Sequence, residues 1–167
     1  MHGEYWERVF PDKANRPAYK VILADLPPGQ LVQLDVFGIL GATRTRFDLP
    51  GVPARDPTIR IGPMIFSSRC HGIDGATGEL VTGGLEAEAS QTFSNLRALV
   101  VAAGGSVGDI VELNSYGKSP AYAAPAHAVF EELFADLEPR PVHNAFVNHI
   151  TARFEISTEM VAVVGAR

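Results

Sequence analysis

Apolar and polar positions alternate along this chain with two different periods. In EYWERVF (4–10), Tyr5, Trp6, Val9 and Phe10 fall on one helical face, and Pro11 and Pro17 close the segment. YKVILADL is a strand-like apolar run, Pro27-Pro28-Gly29 a turn, and LVQLDVFGIL a second run with partial alternation, so the pattern predicts a helix followed by a β-hairpin. Residues 42–57, rich in proline and arginine, show little periodicity and read as a linker. Beyond them TIRI and MIFSSR are short strands joined at Gly62-Pro63, and HGIDGATGELVTGG is a glycine-rich turn region. Residues 85–103 carry the strongest helical pattern, with Ala89, Phe93, Leu96, Val100 and Ala103 spaced by three and four, and Gly104-Gly105 ends it. DIVELNSYG predicts a strand, 121–134 a helix, and 142–148 and 153–164 two further strands. From residue 57 onward the order is β-β-α-β-α-β-β, an α+β layout with the helices on one face of the sheet.

The chain also resembles itself. Shifted by 124 residues, Tyr5–Gly41 matches Val129–Gly165 without a gap. Glu7, Phe10, Asp12, Arg16, Pro17 and Gly41 recur as Glu131, Phe134, Asp136, Arg140, Pro141 and Gly165, and the apolar pattern agrees at Trp6/Phe130, Val9/Leu133, Ile22/Phe146, Leu23/Val147, Val32/Ile156 and Leu40/Val164. The identities alone are few, and two amphipathic α-β-β segments can look alike by chance. The gap-free match across a helix, two strands and two loops favours a duplicated structural unit. The division is then 1–47 as a partial repeat, 48–56 as linker and 57–167 as the main domain.

Composition narrows the class. At 167 residues, 46% hydrophobic and 20% charged, the chain fits an ordinary globular core. A net charge of −5 argues against a nucleic-acid footprint. The single cysteine, Cys70, permits no intrachain disulfide. MHGEYWERVFPDK has no secretory h-region and no apolar run approaches a membrane span, so the expected location is cytoplasmic, with no membrane and no nucleic acid among the partners.

Residues 57–164 resemble the RidA/YjgF family of reactive-intermediate deaminases, also known as L-PSP endoribonucleases. The resemblance is carried by MIFSSRCHGIDGATGEL, by EAEASQTFSNLRALVVAAGGS with Gln91, Asn95 and Leu96, by VGDIVELNSYG, by HAVFEELF and by RPVHNAF. The segment LPPGQLVQLDVF of the first copy is similar to the family's final hairpin. The resemblance implies a chorismate-mutase-like α+β sheet with helices on one face, preceded here by an additional helix-hairpin. It also implies a homotrimer or a multiple of one, ligand clefts between subunits, a small-molecule ligand and no cofactor. Family deaminases hydrolyse 2-imino acids, and an Arg in a Pro-Ala-Arg motif holds the substrate carboxylate, which suits the paired donors of a guanidinium.

Neither copy keeps that Arg: the matching positions are Tyr19 and His143. The acidic partner on the last strand falls at Ser157, with Glu155 and Glu159 at period two on the same face. The family's Ser-Gly-Gln has become Ser68-Arg69-Cys70, and its first-strand Tyr aligns with Arg55. The catalytic candidates are therefore His143, Arg69 and Glu159, and the ligand-binding candidates Ser68, Arg69, Cys70, His127, His143 and Tyr19. His143 reads equally as a half-buried strand histidine. Cys70 reads as a nucleophile activated by Arg69 and His71, or as an inert buried thiol. Arg69 either replaces the missing Arg or fills the pocket. His143 and His149 share a strand face, but no acidic or cysteine partner sits at ligand spacing, so no metal is expected. Three readings follow: a divergent small-molecule binder with hydrolytic activity, a non-catalytic binding or assembly module, and an endoribonuclease. The charge and the few aromatics disfavour the last.

Overall fold

The computed structural model describes residues 2–18, 20–52, 58–148, 150 and 153–165. The regular elements are α1 (His2–Val9), β1 (Arg44–Phe47), β2 (Thr58–Ile61), β3 (Met64–Phe66), α2 (Gly84–Ala102), β4 (Ile110–Gly117), α3 (Ala123–Leu133), β5 (Val142–Val147) and β6 (Ile156–Val163). The strands form one sheet in the order β1-β2-β3-β6-β4-β5. All neighbours are antiparallel except β4 and β5, which run parallel with α3 as the crossover.

Helices α2 and α3 cover one sheet face. Ala89, Phe93, Leu96, Val100 and Ala103, the helical stripe legible in the sequence, are all buried in the main core. They meet Leu113 of β4, Ile156, Met160 and Ala162 of β6, and Phe130 of α3. Each large side chain so buried contributes about 1.5–3 kcal/mol. Helix α2 ends at Ala102, and the φ of 80° at Gly104 turns the chain so that the Gly105 N–H donates to the Val100 carbonyl at 2.9 Å. Gly117 closes β4 for a different reason: a Cβ there would come within 1.9 Å of the buried Tyr122 ring.

Two expectations are overturned. The linker reading of 42–57 fails at Arg44–Phe47, which forms β1 and pairs with β2 in the main sheet. Residues 20–40 form no hairpin: none lies in a strand, and the one backbone–backbone hydrogen bond among them is the turn contact from Gln30 N–H to the Pro27 carbonyl. At a shift of 124 residues the two runs align with β5 and β6, which do not pair with each other, because β4 lies between them. Helix α1 does form, and Trp6 meets Phe10, just past the helix end, in a tilted ring contact at 4.5 Å, while Val9 stays exposed. No helix among the described residues is long and apolar enough to cross a membrane.

Candidate functional site

Strand alternation sorts the candidate residues onto two faces of the sheet. On β6, Ile156, Met160 and Ala162 enter the helix-side core, so Ser157 and Glu159 point to the opposite face, which α2 and α3 leave open and where Tyr116 packs with Ile73, Ile150 and Phe154 in a second buried cluster. On β4, Leu113 joins the core, and Glu112, Asn114 and Tyr116 take the open face. Register places Asn114 opposite Glu159 and Tyr116 opposite Ser157. Cys70 bridges to Thr158 through two backbone hydrogen bonds and packs in the helix-side core, which turns its neighbours Arg69 and His71 outward to the open face.

The open face therefore carries a polar cluster centred on Tyr116. Its hydroxyl donates to Glu159 Oε1 at 2.9 Å, and its ring stacks on Phe146 at 5.4 Å. The Arg69 guanidinium lies over that ring, Cζ 4.3 Å from the centroid, in a cation–π contact. Glu159 is 1% exposed, and its Oε1 also accepts from Asn114 Nδ2 at 3.4 Å and pairs with the Lys20 ammonium. Among the described residues, Arg69 Nε and Nη2, Ser157 Oγ and Glu159 Oε2 are buried with no hydrogen-bond partner. Buried polar atoms are nearly always satisfied. Here one chain leaves two guanidinium donors, a hydroxyl and a carboxylate oxygen unmatched on one face.

The environment holds Tyr116 protonated: burial, then the Glu159 charge and the hydrogen bond to it, push the phenol up, against the lowering pull of Arg69. His71 stacks on Phe154 at 3.9 Å, and burial, with Arg69 and Arg153 beside it, lowers its pKa to about 4 despite the bond to the Ile156 carbonyl. It is a neutral ring at neutral pH.

The other sequence candidates lie elsewhere. His143 faces the helices: its Nε2 meets Ser115 Oγ at 2.9 Å, its ring stacks on Phe130 at 4.6 Å, and burial lowers its pKa. Ser115 in turn meets Thr158 Oγ1 at 2.9 Å, so this chain of polar groups ties β5, β4 and β6 together on the side away from Arg69 and Glu159. The structure does not bring His143 together with its two fellow candidates, because residues 143 and 69 project from opposite sheet faces. Cys70 is likewise turned into the core, and burial pushes its thiol up to about 12, which leaves it a poor nucleophile. His127 is exposed on α3, beside Glu131 at 3.8 Å. Ser68 is buried next to Arg69. Tyr19, Arg55 and His149 lie outside the described residues. No group of three or more His, Cys, Asp or Glu suited to a metal stands among the described residues.

Sequence reasoning missed Tyr116, Asn114 and Lys20. The alternation in DIVELNSYG carried the signal for the first two, since it puts Glu112, Asn114 and Tyr116 on one face. Lys20 comes from outside the sheet, and no local pattern marks it.

Comparison with known proteins supplies the context. The family described as Endoribonuclease L-PSP matches residues 55–164. A RutC family protein of Pyrococcus abyssi is 31% identical over 84 residues, 50% of this chain and 66% of that protein. A 2-iminobutanoate/2-iminopropanoate deaminase of Dermatophagoides farinae is 34% identical over 58 residues, 35% of this chain and 45% of that protein. The chain thus spans about half to two thirds of the length of these relatives. The crystal structure of RidA from the Antarctic bacterium Psychrobacter sp. PAMC 21119 superposes with a TM-score of 0.60 at 28% identity, covering 69% of this chain and 93% of that one.

Proposed function

The chain belongs to the Endoribonuclease L-PSP family, the RidA/YjgF proteins of chorismate-mutase-like fold, and from that premise we propose that it binds a small carboxylate compound bearing a neighbouring carbonyl or imine on the open sheet face. The observation that carries the reading is the Arg69 guanidinium, buried over Tyr116 with Nε and Nη2 unpartnered. Those two nitrogens form one edge of the guanidinium, the edge that grips a carboxylate with two parallel hydrogen bonds. Arg69 so replaces the motif Arg that Tyr19 and His143 lack, and it does so from the loop after β3 rather than from β5.

Glu159 stands on the far side of the Tyr116 hydroxyl and serves as the acid–base group. For an imine, Glu159 takes a proton from water as its oxygen adds to the carbon, and passes that proton to nitrogen to give the carbinolamine. Glu159 then takes the hydroxyl proton and delivers it to nitrogen, so that the C–N bond breaks, ammonia leaves and the carbonyl of the 2-oxo acid forms. His143 and His127 touch no ligand in this reading. The relative from Dermatophagoides farinae carries the name of a 2-imino acid deaminase, which supports the substrate class. The cleft is put between subunits of a trimer, the assembly implied by the family resemblance, so that a neighbour covers the open face.

The absent motif Arg favours a second reading, in which the site binds without turnover. Calorimetric titration with 2-oxobutanoate tests the shared core: the wild type binds, and Arg69→Ala weakens binding at least tenfold. A wild type that takes no ligand overturns both readings. A coupled assay with threonine dehydratase separates them. Faster release of 2-oxobutanoate that is lost in Glu159→Gln marks the hydrolase, and no acceleration marks the binding module. Light scattering that shows a 17.9 kDa species at micromolar concentration removes the inter-subunit cleft.

A further inference from the structure

Nine large apolar side chains between Val21 and Leu40 are 43–101% exposed: Val21, Ile22, Leu23, Leu31, Val32, Leu34, Val36, Phe37 and Leu40. These are nine of the sixteen large hydrophobic side chains exposed among the described residues, and they sit on an arm without ladder hydrogen bonds. The arm touches the open face at few points. Lys20 pairs with Glu159, the Leu23 carbonyl accepts from Asn148 Nδ2 at 3.0 Å, and Phe37 stacks on Phe66 at 6.0 Å. Soluble chains rarely leave so much apolar surface uncovered unless a partner takes it.

The internal repeat says what kind of partner. Residues 20–23 and 32–39 correspond in sequence to 144–147 of β5 and 156–163 of β6, which lie on the two sides of β4. The alternation matches face by face. Val32, Leu34 and Val36 stand where Ile156, Thr158 and Met160 turn to the helices, and Gln33 and Asp35 stand where Ser157 and Glu159 take the open face. The two limbs thus have the pattern of strands that flank a β4. The one β4 among the described residues is already flanked by β5 and β6, and the same holds for every further copy of this chain.

We propose that the arm completes a second sheet by strand addition on a polypeptide that carries the counterparts of β2 through α3, residues 58–133, with both edges of its β4 free. The partner is a partial unit of the same fold, and its two open edges together with its exposed helix-side core are what the arm covers. Asp35 then occupies the place of Glu159 in the second unit, which is incomplete without it. The proposal rests on the repeat and the sheet order, and is independent of the ligand assigned to Arg69.

The test mixes the full chain with a polypeptide of residues 58–134 of the same sequence, which has β4 but neither β5 nor β6. The expected result is a 1:1 complex in which amide hydrogen exchange slows at least tenfold over 20–23 and 32–39 and is unchanged over 142–147 and 156–163. Leu34→Asp with Val36→Asp should abolish that protection. Where the polypeptide aggregates alone, the same segment joined by a flexible linker ahead of Met1 repeats the measurement at high effective concentration. Exchange in the arm that stays fast in both formats overturns the proposal. So does slowing confined to 142–163, protection that survives the double substitution, protection by self-association of the chain alone, or protection by lipid vesicles only.

Discussion

Tyr116 on β4 donates its phenolic hydrogen to Glu159 Oε1 on β6 at 2.9 Å, while the Arg69 guanidinium lies over the same ring. One side chain so links the group proposed to hold the ligand's carboxylate with the group proposed to move its proton. Burial raises the phenol's pKa first, and the Glu159 charge and the hydrogen bond to it raise it further. Tyr116 is therefore expected to resist ionisation in alkaline solution. In Glu159→Gln the charge is gone and burial remains, so the phenol should ionise at lower pH than in the wild type. Ultraviolet titration of tyrosinate in the two proteins, referenced to Tyr116→Phe, checks this. Superimposable curves would show that the two groups are not coupled.

Glu88 ties α2 to the start of β6. It is 4% exposed, and its Oε1 accepts the backbone N–H groups of Glu155 at 2.9 Å and Ile156 at 3.2 Å. Glu88→Ala leaves these two amides without the acceptor that α2 supplies, at a cost of about 1–3 kcal/mol for each amide left buried. Glu88→Gln keeps an acceptor oxygen of the same reach and should lose much less. The order of melting temperatures in denaturant-free scans should be wild type, then Gln, with Ala well below both. Equal stability of Gln and Ala would show that the carboxylate's charge, not its position, holds the helix to the strand.

What the sequence discloses here is periodic, and what it conceals is relational. The α2 stripe from Ala89 to Ala103 is a one-dimensional pattern, and the structure buries it as the pattern predicts. The runs at 20–26 and 31–40 show an equally good strand pattern, yet they form no strand, because a ladder needs a partner whose presence no local pattern reports. The site divides the same way. Arg69 and Glu159 fall on one face, which parity on β6 and the Cys70–Thr158 bridge settle. His143 matches the family motif in sequence position. Its burial against Phe130 and its contact with Ser115 give it a structural task on the other face. Alternation in DIVELNSYG gives the face of Tyr116, and its contacts with Arg69 and Glu159 come from elsewhere in the chain, which no local pattern reports.

His71 makes the fold sensitive to mild acid. Its ring stacks on Phe154 at 3.9 Å, the Arg153 guanidinium lies 4.7 Å from the centre of the Phe154 ring, and Arg69 stands two residues away in sequence. Burial and these two cations lower its pKa from 6.5 to about 4. Above pH 6.5 the ring is neutral in both folded and unfolded chains and costs nothing. Between 6.5 and about 4 the unfolded chain binds a proton that the folded one refuses, so stability falls as pH falls. At about 1.4 kcal/mol per pH unit, the loss from pH 7 to pH 5 is about 2 kcal/mol. His71→Phe keeps a ring against Phe154 and removes the titration. Urea unfolding at pH 7 and pH 5 should therefore show the wild type losing about 2 kcal/mol more than the variant. The difference between the two proteins isolates His71, since Glu88, whose pKa is raised by burial, titrates in both. Parallel losses would mean that the ring is charged, or wet, in the folded protein. The stack on Phe154 would then have to be reread as a cation–π contact.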